Sequence, residues 1–299
     1  MKNNYLVTGA AGFIGAAIAK KLLDLNYNVW TIDNLSTGYE NNLPKGIEFI
    51  FGDCQDDKSI KKLKKVKFDA ILHFAGQSSG EISFSDPIYD IRTNTESTLK
   101  LLKYALENNC RRFVYASSMS VYGEVPDEPI KENFLCKPLS FYGVGKLASE
   151  YYLRIYKTYG INSTSLRLFN VYGPGQNLSN DRQGMVSIFL AMAINNNEII
   201  VKGSGDRFRD FIYIDDVVDA TINTIGNKNS FDNVYNVATG KKTTVNRLLD
   251  EIKKITNQKI SVKFSGNTPG DQNGIYANME NSRSVLNMKN PVSLELGLE

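Results

Sequence analysis

Tyr142 and Lys146 form the only YxxxK pair among 16 tyrosines. Residues four apart on a helix share a face, so an ammonium would stand beside a phenol. A free phenol ionises near pH ~10, and a neighbouring cation is expected to lower that towards a useful acid–base value. Ser118 lies earlier, in Tyr115-Ala-Ser-Ser-Met-Ser-Val-Tyr-Gly123, at the end of a strand-like run. Its hydroxyl could bond a substrate hydroxyl and pass a proton towards Tyr142. Ser117, Ser118 and Ser120 would equally suit strand-end turn chemistry. Rivals are few. The chain has a single His, His73, and three scattered Cys at 54, 110 and 136 with no CxxC pair. No metal site is expected from that inventory. His73 reads better as a satisfied residue at a sheet end than as a catalyst.

A second group of residues has the chemistry of nucleotide binding. Gly9-Ala-Ala-Gly12-Phe13-Ile14-Gly15 falls between a first strand and a first helix. Glycine there permits a tight turn, close approach of backbone N–H groups to a pyrophosphate, and packing of helix on strand. A Gly triplet alone would fit any tight βα turn. Here Asp33 also ends the second strand, followed by Asn34, where a carboxylate would bond both ribose hydroxyls and favour NAD over NADP. Asp53, beside Cys54 after the third strand, would bond an adenine amino group or cap the following helix. His73-Phe74-Ala75-Gly76 ends the fourth strand with small residues that let backbone lie against a cofactor.

The elements that must hold these groups alternate. Strand-like runs at Tyr5–Thr8, Val29–Asp33, Ile47–Phe51, Ala70–Phe74, Arg112–Ser117 and Ser163–Leu168 are separated by helical patterns. The helices include Lys58–Lys67, Ile91–Glu107 and Tyr142–Tyr159. Such alternation makes βαβ units and a doubly wound parallel sheet, an α/β Rossmann architecture. After Asn170 the chain becomes turn-rich. Residues 1–169 are expected to form the NAD-binding domain, and 170–299 a smaller, mainly substrate-binding lobe partly interleaved with the sheet.

With 42% hydrophobic and 22% charged residues, the chain is an ordinary globular one. Its net charge of +3 gives no argument for nucleic acid. Lys58, Lys61, Lys62, Lys64, Lys65 and Lys67 read as a solvated helix face over Ile60 and Leu63. No apolar run spans a bilayer and no signal peptide is expected, so a cytoplasmic protein with no membrane partner follows.

Taken together these motifs resemble an extended short-chain dehydrogenase/reductase, a nucleotide-sugar epimerase of the UDP-glucose 4-epimerase type. The resemblance runs from GAAGFIG at 9–15 through Asn94 and Tyr142-Gly-Val-Gly-Lys146. It continues through Arg167-Leu-Phe-Asn-Val-Tyr-Gly-Pro to Arg209-Asp-Phe-Ile-Tyr-Ile-Asp-Asp. It implies bound NAD, with Asn94, Tyr142 and Lys146 among its contacts, and inversion at the sugar C4. Ser118, Tyr142 and Lys146 would be catalytic. Asn170, Arg209 and Asp271 would bind the nucleotide-sugar together with Ser118 and Tyr142; a turn Asn and a surface ion pair are the plain alternatives for the first two. Dehydratases of the family carry an acid pair after the strand-end Ser/Thr, and here Met119 and Ser120 replace it. A C2 epimerase, a 4-keto reductase and a non-enzymatic NAD sensor are the competing readings. Ile275-Tyr276 falls where acetamido sugars are gated. Ile91–Glu107 with Ala148–Tyr159 would supply a homodimer seam.

Overall fold

The computed structural model describes residues 2–63, 66–179, 184–266 and 272–299. Its first half runs β1 (Asn4–Thr8), α1 (Phe13–Asp24), β2 (Asn28–Asp33), β3 (Glu48–Phe51), α2 (Asp57–Lys61) and β4 (Ala70–His73). It continues with α3 (Gly80–Ser85), α4 (Pro87–Ile91), α5 (Ser97–Glu107), β5 (Arg112–Ser118), α6 (Phe141–Tyr156) and β6 (Asn162–Leu168). A later strand, Asn233–Val237, completes a seven-stranded parallel sheet. The spatial order is Asn233–Val237, β6, β5, β4, β1, β2, β3. The winding reverses between β1 and β4, so loops leaving their carboxyl ends diverge and open a crevice there.

Side-chain alternation builds two cores on this sheet. Tyr5, Val7, Leu72, Val114 and Leu166 pack against Ile18 and Leu22 of α1 and Val217 and Val218 of the helix Ile214–Ile225. Leu6, Ile32, Ile71, Phe113 and Tyr115 face the other way, onto Leu101 and Leu102 of α5 and Leu153 of α6. Burial on both faces explains why the central strands are apolar runs. A third core, including Val186, Phe189, Val201, Leu248 and Ile252, joins the helices Met185–Asn196 and Val245–Thr256. The chain between them returns to the sheet as Ile214–Ile225 and Asn233–Val237.

Two helices differ from the sequence expectation. The Lys-rich one ends at Lys61, and Lys64 and Lys65 lie outside the described residues. Its inward residues are as expected, with Ile60 and Leu63 buried. The expected helix over 91–107 begins as a π-helical turn at Arg92–Glu96 before α5. Thr93 and Asn94 there bond outwards: Thr93 Oγ1 accepts from Gln77 N at 3.4 Å, and Asn94 Nδ2 donates to Gln77 O at 2.9 Å and to Asp90 Oδ1 at 3.1 Å. This turn grips the loop after β4, at a bulge of the kind often found beside functional sites.

Candidate active site

One cleft of about 480 Å³ follows the carboxyl edge of the sheet from β2 to β6, a size that suits small-molecule sites. It is lined by Gly9, Gly12, Phe13, Ile14, Gly15, Asp33, Asn34, Asp53, Cys54, Phe74, Ala75 and Gly76. At its other end stand Ser118, Tyr142, Lys146 and Asn170.

The nucleotide end is built from backbone. Gly9 has φ +77°, and a Cβ there would stand 2.8 Å from the Ala75 backbone. A Cβ on Gly15 would run into the Gly9 carbonyl oxygen. Gly12 begins α1 with no side-chain cap, so the start of the helix opens on the cleft, as an anion site requires. Asp33 Oδ2 accepts from Ala11 N at 2.9 Å and Oδ1 from Leu35 N at 2.8 Å. The carboxylate thus clamps the glycine turn while facing the cleft. Asp53 is not the cap of α2; Asp56 is, accepting from Lys58 N and Ser59 N. Asp53 instead accepts from Asn34 Nδ2 at 2.6 Å and Gln55 N at 3.0 Å. A turn with close backbone approach, an open helix start and a cleft-lining carboxylate at the end of β2 together fit a dinucleotide.

The chemical end is built from buried side chains. Ser140 caps α6, its Oγ accepting from Gly143 N at 3.1 Å, which places Tyr142 in the first turn. Lys146 follows one turn later, and its Nζ lies 5.6 Å from the Tyr142 ring centroid. That Nζ donates to Ala116 O on β5 at 2.9 Å. Ser118 Oγ accepts from Ser120 N and donates to Ser120 Oγ, each at 3.2 Å, which is strand-end turn chemistry, and it lines the same cleft as Tyr142. The electrostatics depart from the sequence expectation. Burial pushes the Tyr142 phenol up to about 12, with the neighbouring Ser118 hydroxyl opposing and Asp90 adding to the rise. Burial likewise draws Lys146 down to about 8, with Asp90 opposing. Desolvation, the largest cause of both shifts, outweighs what Ser118 restores at the phenol and Asp90 at the ammonium.

Other predicted residues are placed differently. Asn94 is 1% exposed and does not line the cleft; it shapes the Gly76–Gln77 loop from behind. Arg209 is buried, donating to Phe208 O at 2.7 Å and Gln272 O at 2.8 Å, and is not among the lining residues. Asp271, with Thr268-Pro-Gly, lies outside the described residues. Ile275 is fully buried in the first core, away from the cleft lining. His73 is buried, with Nδ1 2.8 Å from Thr8 Oγ1 and burial holding its pKa near about 3. Asn170 Oδ1 is buried without a hydrogen-bond partner, a polar atom suited to a ligand in the cleft.

A family model described as the NAD dependent epimerase/dehydratase family matches residues 5–238. The chain belongs to that family. A UDP-glucose 4-epimerase of Mycolicibacterium smegmatis is 32% identical over 98% of this chain and 95% of its own. The solved UDP-glucose 4-epimerase of Thermotoga maritima, with UDP-glucose, superposes with TM-score 0.95 at 33% identity, covering 99% of this chain and 96% of that one. A UDP-N-acetylglucosamine 4-epimerase from Methanobrevibacter ruminantium, in complex with UDP-N-acetylmuramic acid, gives 0.91 at 32% identity, covering 100% and 96%. This epimerase-family enzyme is therefore NAD-dependent.

Sequence reading missed several residues. Tyr39, Asn42, Gln77, Ser78 and Tyr89 also line the cleft, on loops and short helical turns whose sequences carry no periodic signal. Thr8 Oγ1 accepts from Phe74 N at 3.2 Å and Ala75 N at 3.1 Å, tying β1 to the loop after β4. Glu150 could have been found: it continues the Tyr142, Lys146 spacing by another four residues.

Proposed function

We propose that the enzyme inverts C4 of a UDP-sugar, with UDP-glucose/UDP-galactose or their N-acetyl forms as substrates. The observation that carries this reading is the buried Ser118, Tyr142 and Lys146 set at one end of a dinucleotide cleft. Met119 and Ser120, which follow Ser118, cannot remove or deliver a proton at a sugar carbon, which argues against dehydration. The named activities of the relatives support the substrate class.

Bound NAD would supply the hydride acceptor and donor that inversion at C4 requires. Ser118 bonds the 4-hydroxyl and Tyr142, as phenolate, takes its proton, then gives it back. Lys146 holds the nicotinamide ribose, and cationic charge near the phenol offsets the desolvation that favours its neutral form. Gly9 to Gly15, with Asp33, Asn34, Asp53, Cys54 and Phe74 to Gly76, hold the dinucleotide; Asn170 reaches the sugar-diphosphate. Residues 1–169 form the cofactor domain and 170–299 mainly the substrate lobe. Purified enzyme should interconvert UDP-glucose and UDP-galactose without added reductant. Net NADH consumption on a 4-keto sugar would instead mark a reductase.

The working form in this reading is a cytoplasmic homodimer. Ile88 and Ile91 of α4 are 60% and 51% exposed, and Val144, Tyr151 and Ile155 of α6 are 53–54% exposed. Such a patch is a natural seam between copies. Val144→Asp with Ile155→Asp should halve the mass measured by light scattering.

A further inference from the structure

We propose that Glu150 and Arg167 are a positioning pair for the reaction, holding the Tyr142 face of α6 at a fixed distance from the Ser118 end of β5. The inference rests on the reading of Ser118 and Tyr142 as the proton-handling groups.

Tyr142, Lys146 and Glu150 follow one another at four-residue steps, so they form one inward stripe on α6. Two of them grip successive residues of β5, and the third lines the cleft with the next. Lys146 Nζ donates to Ala116 O at 2.9 Å and Glu150 Oε1 accepts from Ser117 Oγ at 2.5 Å, while Tyr142 and Ser118 line the same cleft. Arg167 is the register partner of Ser117 on the neighbouring strand β6. Its guanidinium grips the same carboxylate by two bonds, Nε to Oε1 at 2.9 Å and Nη2 to Oε2 at 2.7 Å. It also donates through Nη1 to Glu132 O at 2.9 Å and lies 4.7 Å from the Tyr122 ring centroid. Helix, β5 and β6 therefore meet at one carboxylate.

Both side chains of the pair are only 5% exposed. A buried ion pair is a poor way to gain stability, because well-packed apolar residues commonly do as well or better. What the pair supplies is direction. A forked, bidentate contact tolerates little sliding or rotation of α6. A proton shared between Ser118 and Tyr142 needs that restraint, since small misplacements cost large factors in rate.

The test compares Tyr142→Phe, Ser117→Ala and the double variant Glu150→Met with Arg167→Met, each as purified holoenzyme with UDP-glucose. The double variant should melt near wild type and retain bound NAD and KM. Its kcat should fall roughly 10- to 100-fold, with a larger solvent deuterium isotope effect as proton transfer slows. Ser117→Ala, which leaves the ion pair intact, should lower kcat about tenfold at unchanged KM. Wild-type kcat in the double variant, or a loss matching only its loss of folded or NAD-bound protein, overturns the proposal. Should the double variant fail to fold, Ser117→Ala decides: wild-type kcat there overturns the proposal. If Tyr142→Phe is fully active, the assignment of the site fails instead.

Discussion

The two ends of the cleft are made of different material. At the β1/β4 crevice, backbone does the work: Gly9 and Gly15 have no room for a Cβ, and Asp33 holds the turn through Ala11 N and Leu35 N. At the β5/α6 end, side chains do it, and Ser118, Tyr142 and Lys146 are all buried. The first end is a shape that a ligand fills. The second is a set of charges held off balance, with a phenol pushed up to about 12 and an ammonium drawn down to about 8. A cofactor site needs close approach, whereas a proton site needs groups whose ionisation is uphill until substrate and cofactor arrive.

The largest effect that would sharpen this contrast is at the phenol. Tyr142→Phe should lower kcat by roughly 10²- to 10⁴-fold while NAD content and melting temperature stay near wild type. Gly9→Val should do the reverse. With φ +77° and the Ala75 backbone in the way, it should cost about 2–4 kcal/mol of stability. The protein should emerge without NAD, as read by its 260/280 nm absorbance ratio. If Gly9→Val keeps its cofactor, the account of the nucleotide end breaks.

Lys146 offers a finer test. Its folded pKa of about 8 lies below the ordinary 10.5, so between these values the unfolded chain binds more protons. Stability should rise with pH across that window, and the cost of burying the ammonium is fully present below pH 8. Cofactor-free Lys146→Met should therefore be more stable than wild type at pH 7, by about 1–2 kcal/mol after losing the Ala116 bond. That advantage should shrink between pH 8 and 10.5 in urea titrations, with activity nearly abolished throughout. The smallest effect is expected at Asp33→Asn. The amide can still accept from one N–H, so NAD affinity should weaken by about tenfold, roughly 1.4 kcal/mol, in competition binding.

The sheet was legible because buried parallel strands are apolar runs separated by helical periods, and glycine spacing marks the turn at which winding reverses. The placement of Tyr142 and Lys146 on one face of α6 was legible for a similar reason: spacing on an element fixes which side chains share a face. What escaped was anything set across elements. The π-helical turn at Arg92–Glu96 exists because Thr93 and Asn94 bond the loop after β4, a contact that no local pattern announces. The direction of the Tyr142 shift was misjudged because spacing shows the neighbouring cation but not the loss of water around both. Asp53 lost its capping alternative to Asp56, three residues on, which the sequence left equally open.

The central claim is that C4 is oxidised and reduced within one site, with Tyr142 moving only protons. UDP-glucose carrying deuterium at C4 tests it most directly. The account predicts UDP-galactose with deuterium still on C4, no net NADH, and conversion by Tyr142→Phe slowed roughly 10²- to 10⁴-fold. Loss of the label to water, accumulation of NADH, or inversion at another carbon would contradict it.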